Sequence, residues 1–574
     1  MHKTTASPVV LGSQNRESAS PSRGNDEKSL RIKFLLLLAV VFSIFFSYEI
    51  GNRRFADPDE GRYVEIPREM VVTGDYVSPK LNGLKYFEKP PLFYWMQAGV
   101  IKTFGINETS MRLWTVAFAV LGCLAVFLVG ALRYSNLVGL ASAGILATNI
   151  FYYAHSRLII LDLVASVLMS LELWLFFLAF ARSSRPSEKL RKKLTIAMCA
   201  VSALTCLTKG LIGVVLPGIV VLPWMTITKS WSKLKEIFYL PGILVFLAIF
   251  LPWHILIARR NDDFLYYYFV VEHFLRYLLT IHNRYKPAWF FIPILLAGML
   301  PWTGFSLVAI KNSFKKALSK DSESVFLLCW IFGIFIFYSF SNSKLIPYIL
   351  PLIPPIALIT GKDLVESRNW KTGVWLNVTL FAIAAAAYFV AKPQISDVLQ
   401  DSDAVMLIKF FAGLAIAAAL VLIASLYFKN SRSVLAAVYF FIAANMMWTI
   451  NKATVVYQEM KKPSTKQFAE LIRMNRNKDD LVFCYKRYYQ DFPVYLNSTV
   501  GVVDFVGELE FGANADPKND KLISEEAFWK LWNSSKKRIF LLLSREHYRE
   551  VFTAKNPTHR VLDFNKYFVA ITNK

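Results

Sequence analysis

The sequence predicts an α-helical polytopic membrane protein that ends in a small α/β domain. Three observations point there. Of the 574 residues, 55% are hydrophobic and only 18% are charged. Apolar runs recur along the chain as far as residue 451. Basic residues gather in every second connection between those runs. Soluble proteins average roughly 45–50% apolar and about 25% charged residues, so this excess is rewarded only where lipid is the solvent. The formal charge of +24 does not mark a nucleic-acid binder, because its Lys and Arg residues form short helix-orienting clusters.

Residues 1–30, rich in Ser, Asn, Arg and Pro without an apolar core, read as a disordered cytoplasmic tail. The run at 33–51 has no small-residue cleavage site behind it and reads as a retained anchor. At roughly 20 apolar residues per crossing, about thirteen spans follow. They lie near 33–51, 111–132, 138–153, 158–181, 195–209, 211–227, 238–257, 288–310, 324–341, 346–361, 372–391, 404–427 and 433–451. Arg133, then Arg182 to Lys193, Lys229 to Lys235, Lys311 to Lys320, Lys362 to Lys371, and Lys429 with Arg432 fall in alternate loops. Positive charge stays on the cytosolic side, so the N-terminus is inside and an odd number of spans leaves the C-terminus outside. The expected division is 1–30, a transmembrane unit at 31–451 with outer loops 52–110 and 258–287, and an outer domain at 452–574. In the last, Leu481–Tyr485, Val500–Val506 and Ile539–Leu543 read as strands and Glu525–Asn533 as a helix. The five Cys residues are scattered and support neither a disulfide framework nor a Cys-based metal site.

Chemistry-bearing residues collect on the outer side. Asp57-Pro58-Asp59-Glu60-Gly61-Arg62 places three carboxylates just beyond a span, where they are costly unless water, cations or substrate meet them. A solvated turn explains the same residues. Glu88-Lys89-Pro90-Pro91 precedes an apolar aromatic segment, and a Lys at membrane level suits a lipid phosphate or simple snorkelling. Asp162 begins the fourth span, where a carboxylate is a functional candidate by default or an ion-pair partner of Arg157. In Glu272-His273-Phe274-Leu275-Arg276, Glu272 and Arg276 are four apart and able to pair on a helix. Lys344 and Tyr348 stand at the outer entry to the tenth span.

The motifs D-P-D-E-G-R-Y, N-G-L-K-Y-F-E-K-P-P-L-F-Y-W, E-H-F-L-R-Y and S-K-L-I-P-Y-I-L-P resemble those of the bacterial lipid A aminoarabinose transferases. That family belongs with the protein O-mannosyltransferase-like enzymes of the GT-C fold. The tail segments Cys484 to Leu496 and Gly507 to Gly512 are similar too, so the resemblance covers nearly all the chain after residue 30. It implies Asp57 and Asp162 as active-site carboxylates, with Arg62 orienting the acidic loop. It further implies that Lys89 and Arg276 hold the carrier phosphate, with Tyr86, Tyr348 and Lys344 lining it. A zinc site at Glu88 and His273 is also implied, although zinc takes three or four protein ligands.

The expected reaction moves 4-amino-4-deoxy-L-arabinose from undecaprenyl phosphate to a lipid A phosphate on the periplasmic face of the inner membrane. Lys89 and Arg276 then stabilise the departing phosphate, and resistance to cationic peptides such as polymyxin follows. The rival enzyme uses another sugar, or a Ser or Thr acceptor in protein. A lipid-linked sugar transporter is the reading from another class, and it lacks the matching polar features on both faces.

Overall fold

A computed structural model of the chain describes residues 21–181, 186–278, 285–366, 371–380, 383, 416, 432–461, 463–516, 519–554 and 557–574. Its membrane part is a bundle of apolar helices, and the chain is a multi-pass membrane protein. Among the described residues six helices are long and apolar enough to cross a bilayer, or up to eight if each bent pair is one span. The thirteen-span expectation is therefore not matched helix for helix. The predicted span at 404–427 and most of that at 372–391 lie outside the described residues.

Several boundaries differ from those read in the sequence. The first helix, α1, runs Pro21–Ser47, so 21–30 is helical and not an irregular tail. The loop after it contains α2 (Asp59–Thr73), the short antiparallel strands β1 (Lys80–Leu81) and β2 (Leu84–Lys85), and α3 (Leu92–Phe104). Helix α4 (Leu113–Arg133) crosses back as expected. The span read at 138–153 is broken into α5 (Asn136–Ala147) and α6 (Ile150–Ser156), bent by 64°. Asn149 causes the break by capping the new helix, its side chain accepting from the Tyr152 N–H. Helix α7 (Leu161–Phe176) continues as a π-helical stretch to Ala181. Helix α8 (Glu188–Lys209) begins with a charged turn ahead of the predicted 195–209 and ends at Gly210. Helix α9 (Ile212–Ile227) follows directly. The span read at 288–310 is likewise two segments, Ala288–Gly298 and Thr303–Leu318, at 116°. Helix Arg432–Lys461 runs past residue 451, where the last span was expected to end.

The C-terminal part forms a six-stranded sheet. Its strands are β3 (Leu481–Tyr485), β4 (Gly501–Val503), β5 (Leu522–Ile523), β6 (Ile539–Ser544), β7 (Arg560–Phe564) and β8 (Phe568–Thr572), in the order β5-β4-β3-β6-β8-β7. The strand expected at 500–506 is only β4. Strands β5, β4, β3 and β6 pair in parallel, while β8 runs antiparallel to β6 and β7.

A parallel sheet needs cover on both faces, and alternation along β3 shows what supplies it. Phe483 and Tyr485 pack with Phe528, Trp532 and Val551 of the helices on one side. Val482 and Cys484 face the other way, into a core that includes Phe55, Tyr63, Leu84 and Ile159. The first loop is therefore the second cover of the sheet. Loop and tail share one hydrophobic core, which positions the site described next.

Candidate functional site

The acidic loop leads into α2, and its three carboxylates part company. Asp59 and Glu60 occupy the first turn, where the helix dipole favours negative charge. Glu60 is fully buried. Its Oε1 accepts from Arg53 Nη2 at 2.8 Å, Arg112 Nε at 3.1 Å and the Ile159 N–H at 3.0 Å. Its Oε2 accepts from Arg112 Nη2 and the Ala56 N–H, both at 2.9 Å. Burial alone would raise its pKa, but Arg112 and Arg53 outweigh it and bring the carboxyl to about 2. Glu60 thus pins the residue before Asp57 to the segment before Asp162.

Asp57 is held from the tail. Its Oδ1 accepts from the Gln490 N–H at 2.7 Å and its Oδ2 from Arg487 Nη2 at 3.0 Å. Burial raises its pKa, and the Gln490 N–H and Arg487 oppose that rise. Arg62 donates to Glu508 Oε2 at 2.6 Å, to Asp59 Oδ1 at 2.8 Å and to the Tyr86 hydroxyl at 3.2 Å. Gly61 is what lets the two chains meet. A Cβ there would stand 2.5 Å from both the Asp491 N and the Gln490 carbonyl carbon.

The cations form a second group. Lys89 Nζ lies 3.3 Å from Glu272 Oε2, and Arg276 Nη1 donates to that oxygen at 2.5 Å. Glu88 Oε2 is 3.6 Å from Arg276 and 4.0 Å from Lys89. The structure therefore confirms the Glu272–Arg276 pairing read from their spacing and brings Lys89 into it. Burial, then the neighbouring Arg276, lowers the Lys89 pKa. Burial also works against the Arg276 charge, but Tyr348, Glu272 and Glu88 hold its pKa above the usual range.

Asp162 pairs with Lys209, not with Arg157. Arg157 instead donates to the carbonyls of Phe46 and Tyr48 and to the Tyr153 hydroxyl. Lys209 Nζ also sits 4.9 Å from the centre of the Tyr348 ring, which links Asp162 to the cation group. Lys344 is turned to backbone carbonyls, those of Lys286 at 2.9 Å and of Ser341.

The implied zinc site does not fit. His273 Nδ1 donates to the Tyr268 carbonyl at 2.6 Å, and Nε2 accepts from the Leu211 N–H at 3.0 Å, so neither ring nitrogen has a free lone pair. Burial, together with Lys89 and Arg276, brings its pKa to about 4. A Cβ at Gly210 would meet His273 Nε2, so the glycine turn after α8 shapes itself to the ring. Glu88 faces two cations, and no group of three metal-binding side chains occurs among the described residues.

This geometry gathers Lys89, Arg276, Glu88 and Glu272 in one group, links Asp162 and Lys209 to it through Tyr348, and ties Asp57 to the C-terminal sheet domain. Sequence profiles agree with it. That of the dolichyl-phosphate-mannose-protein mannosyltransferases matches residues 31–268. That of the aminoarabinose transferase C-terminal domain matches 468–573. The undecaprenyl phosphate-α-4-amino-4-deoxy-L-arabinose arabinosyl transferase of Erwinia tasmaniensis is 30% identical over 405 residues, 67% of this chain and 72% of its own length. The chain belongs to this aminoarabinose transferase family. A Proteus mirabilis enzyme of the same description is 30% identical over 62% of this chain and 65% of its own. The crystal structure of ArnT from Cupriavidus metallidurans bound to undecaprenyl phosphate superposes with a TM-score of 0.82. It shares 25% identity over 94% of this chain and 98% of that one. The GT-C fold expected from the motifs is thereby established.

Sequence reasoning missed the tail residues Arg487, Gln490 and Glu508 and the role of Lys209. For Lys209 a signal exists: a cation at the end of an apolar helix that the sequence expectation places outside runs against the positive-inside pattern. For the tail residues the similar segments Cys484 to Leu496 and Gly507 to Gly512 were visible, but nothing in them names Asp57 or Arg62 as partner.

Proposed function

We propose that the chain moves 4-amino-4-deoxy-L-arabinose from undecaprenyl phosphate to a phosphate of lipid A, on the periplasmic face of the bacterial inner membrane. Residues 1–30 would lie in the cytoplasm, 31–451 form the catalytic membrane unit, and 452–574 the periplasmic domain. The observation that carries this reading is the pair Lys89–Arg276, gathered by Glu272 and Glu88, with Tyr348 near Arg276 and Tyr86 near Glu88. The relatives' names supply the sugar and its carrier.

In the reaction the bond between the sugar's anomeric carbon and the carrier phosphate oxygen breaks, and one forms to an acceptor phosphate oxygen. The carrier leaves as undecaprenyl phosphate with both electrons of the broken bond. Lys89 and Arg276 neutralise the charge growing on that leaving phosphate. Tyr86 and Tyr348 line the carrier, while Lys344, turned to the Lys286 and Ser341 carbonyls, takes no part in holding it. An acceptor phosphate is already anionic, so Asp57 has no proton to remove. Asp57 orients the acceptor or the sugar's amine and, with Asp162, faces the positive charge developing on the sugar. Arg62 keeps the acidic loop in place.

The test is mass spectrometry of lipid A from cells with and without the gene, alongside Asp57→Asn, Lys89→Ala and Arg276→Ala. The expected result is an added aminoarabinose mass that each variant abolishes while still inserting. Unchanged lipid A in cells making the active protein would shift the acceptor to a protein hydroxyl or another glycan. Full activity in all three variants would overturn the residue assignment.

A further inference from the structure

We propose that Arg487, on the C-terminal sheet domain, binds the phosphate of the acceptor and in doing so uncovers Asp57. The inference deepens the proposed function and rests on its acceptor being a phosphate.

The argument begins with Asp57. Only 8% of the residue is exposed. One oxygen is fixed by a backbone N–H of Gln490, and the other is covered by Arg487. An acceptor reaching Asp57 therefore arrives beside that guanidinium. Arg487 is also unlike the other cations of the site. Lys89, Arg276, Lys209 and Arg62 are 17%, 12%, 13% and 9% exposed, each held by at least one carboxylate. The Arg487 side chain is 56% exposed. It lies over the Tyr489 ring at 5.3 Å, and its only ion pair among the described residues is with Asp57. A guanidinium has five N–H donors in a plane that matches a phosphate bidentately, and one of them is used here.

The strengths of the two contacts on Asp57 differ in the right sense. A half-exposed ion pair is weak because water screens it. The Gln490 N–H contact is buried, and close packing at Gly61 fixes it. A phosphate carries more charge than the carboxylate and accepts more hydrogen bonds, so it displaces Asp57 from Arg487 without disturbing Gln490. Asp57 stays in place, freed on the side where the acceptor now sits. Glu508 is the nearby carboxylate that competes for the freed guanidinium, and its Oε2 is already engaged by Arg62 at 2.6 Å and by Gln490 Nε2 at 2.5 Å.

The experiment uses the full chain in lipid nanodiscs, with Arg487→Ala and Arg487→Lys. Three quantities are measured: lipid A binding, undecaprenyl phosphate binding, and steady-state transfer. In Arg487→Ala, lipid A affinity should fall and the acceptor KM rise about tenfold, the effect of losing a charge-assisted hydrogen-bonded contact. The kcat should fall much less, undecaprenyl phosphate affinity should hold, and Arg487→Lys should lie between. Dephosphorylated lipid A should bind wild type and Arg487→Ala alike. A fall in kcat at constant KM and constant lipid A affinity would overturn the proposal, leaving Arg487 as a positioning residue for Asp57. Inorganic phosphate alone, competing at the same concentration as lipid A, would overturn the lipid assignment. Failure of wild type to transfer sugar to lipid A would sink the functional reading. The binding measurements would still decide the role of Arg487.

Discussion

Glu60→Gln should cost the protein about 3 kcal/mol of stability and disable transfer, although Glu60 touches no substrate in the reading above. Glu60 accepts five hydrogen bonds and offers no surface to solvent. An amide keeps one acceptor oxygen and turns an NH2 group toward either the Ala56 N–H and Arg112 Nη2 or the Arg53 and Ile159 donors. Arg112 and Arg53 would then be buried cations without their counter-charge. Losing one partner of a buried pair costs roughly 3–5 kcal/mol. The fall of the Glu60 pKa from 4.5 to about 2 corresponds independently to about 3 kcal/mol. The lower end of the range is expected, because Arg112 also donates to the carbonyls of Ile50, Arg53 and Arg54. The sign with pH follows from a depressed carboxyl. Its contribution is complete above the unfolded pKa of 4.5 and is lost as pH falls through about 2. Unfolding of wild type and Glu60→Gln in detergent, followed from pH 7 to pH 3, should therefore show a gap that narrows with acid. An unfolding midpoint unchanged at pH 7, with full transfer activity, would refute the claim that Glu60 is the hub of the loop.

Three more outcomes are expected. Glu69 is buried, its carboxyl pushed up to about 8 by burial and by Glu65, so stability should fall with rising pH between 4.5 and about 8, by at most about 1.4 kcal/mol per unit. Glu69→Gln should flatten that slope and raise the melting temperature at pH 8, because the amide still accepts from Gly83. Lys209→Met should destabilise by up to roughly 3 kcal/mol, the lower end for a buried pair, as a largely buried carboxylate loses its partner, and adding Asp162→Asn should restore stability but not activity, read as a double-mutant cycle. Gly61→Val should fold its membrane part yet lose transfer, since the new side chain forces the Gln490–Asp491 backbone away from Asp57, and protease cleavage of the tail should report the loosening.

The sequence reveals the apolar helices because lipid demands long uninterrupted runs, and it reveals strands β3 and β6 because buried parallel strands are short apolar runs. It does not reveal where a run breaks. The kinks after Ala147 and Gly298 depend on local capping and on packing that neither hydropathy nor length encodes. In the site, Glu272 and Arg276 are four residues apart, so helical spacing alone predicts their pairing. Asp57 and Arg487 are 430 residues apart, and the contact exists only because β3 needs cover on its second face. Separation along the chain, here 47 residues, explains Asp162 too. Its near neighbour Arg157 is the natural guess, but Lys209 arrives from the end of another helix. Residues that act through sequence neighbours were legible, and residues that act through the packing of distant helices or the docking of two units were not.

The arrangement of charge bears on why such a site transfers rather than merely binds. Lys89 and Arg276 are not bare cations awaiting an anion, because Glu272 and Glu88 already compensate them. A sugar-linked carrier is a phosphodiester with one negative charge, which must compete with those carboxylates and gains modestly. On the proposed assignment of these cations to the carrier, its phosphate moves toward two negative charges as the glycosidic bond breaks, and its attraction to both cations grows while the carboxylates stay unchanged. The compensation therefore subtracts more, in proportion, from ground-state binding than from the transition state. That is the differential binding from which rate enhancement arises. A site with the same two cations and no Glu272 or Glu88 would hold its substrate more tightly and spend that binding before the bond begins to break.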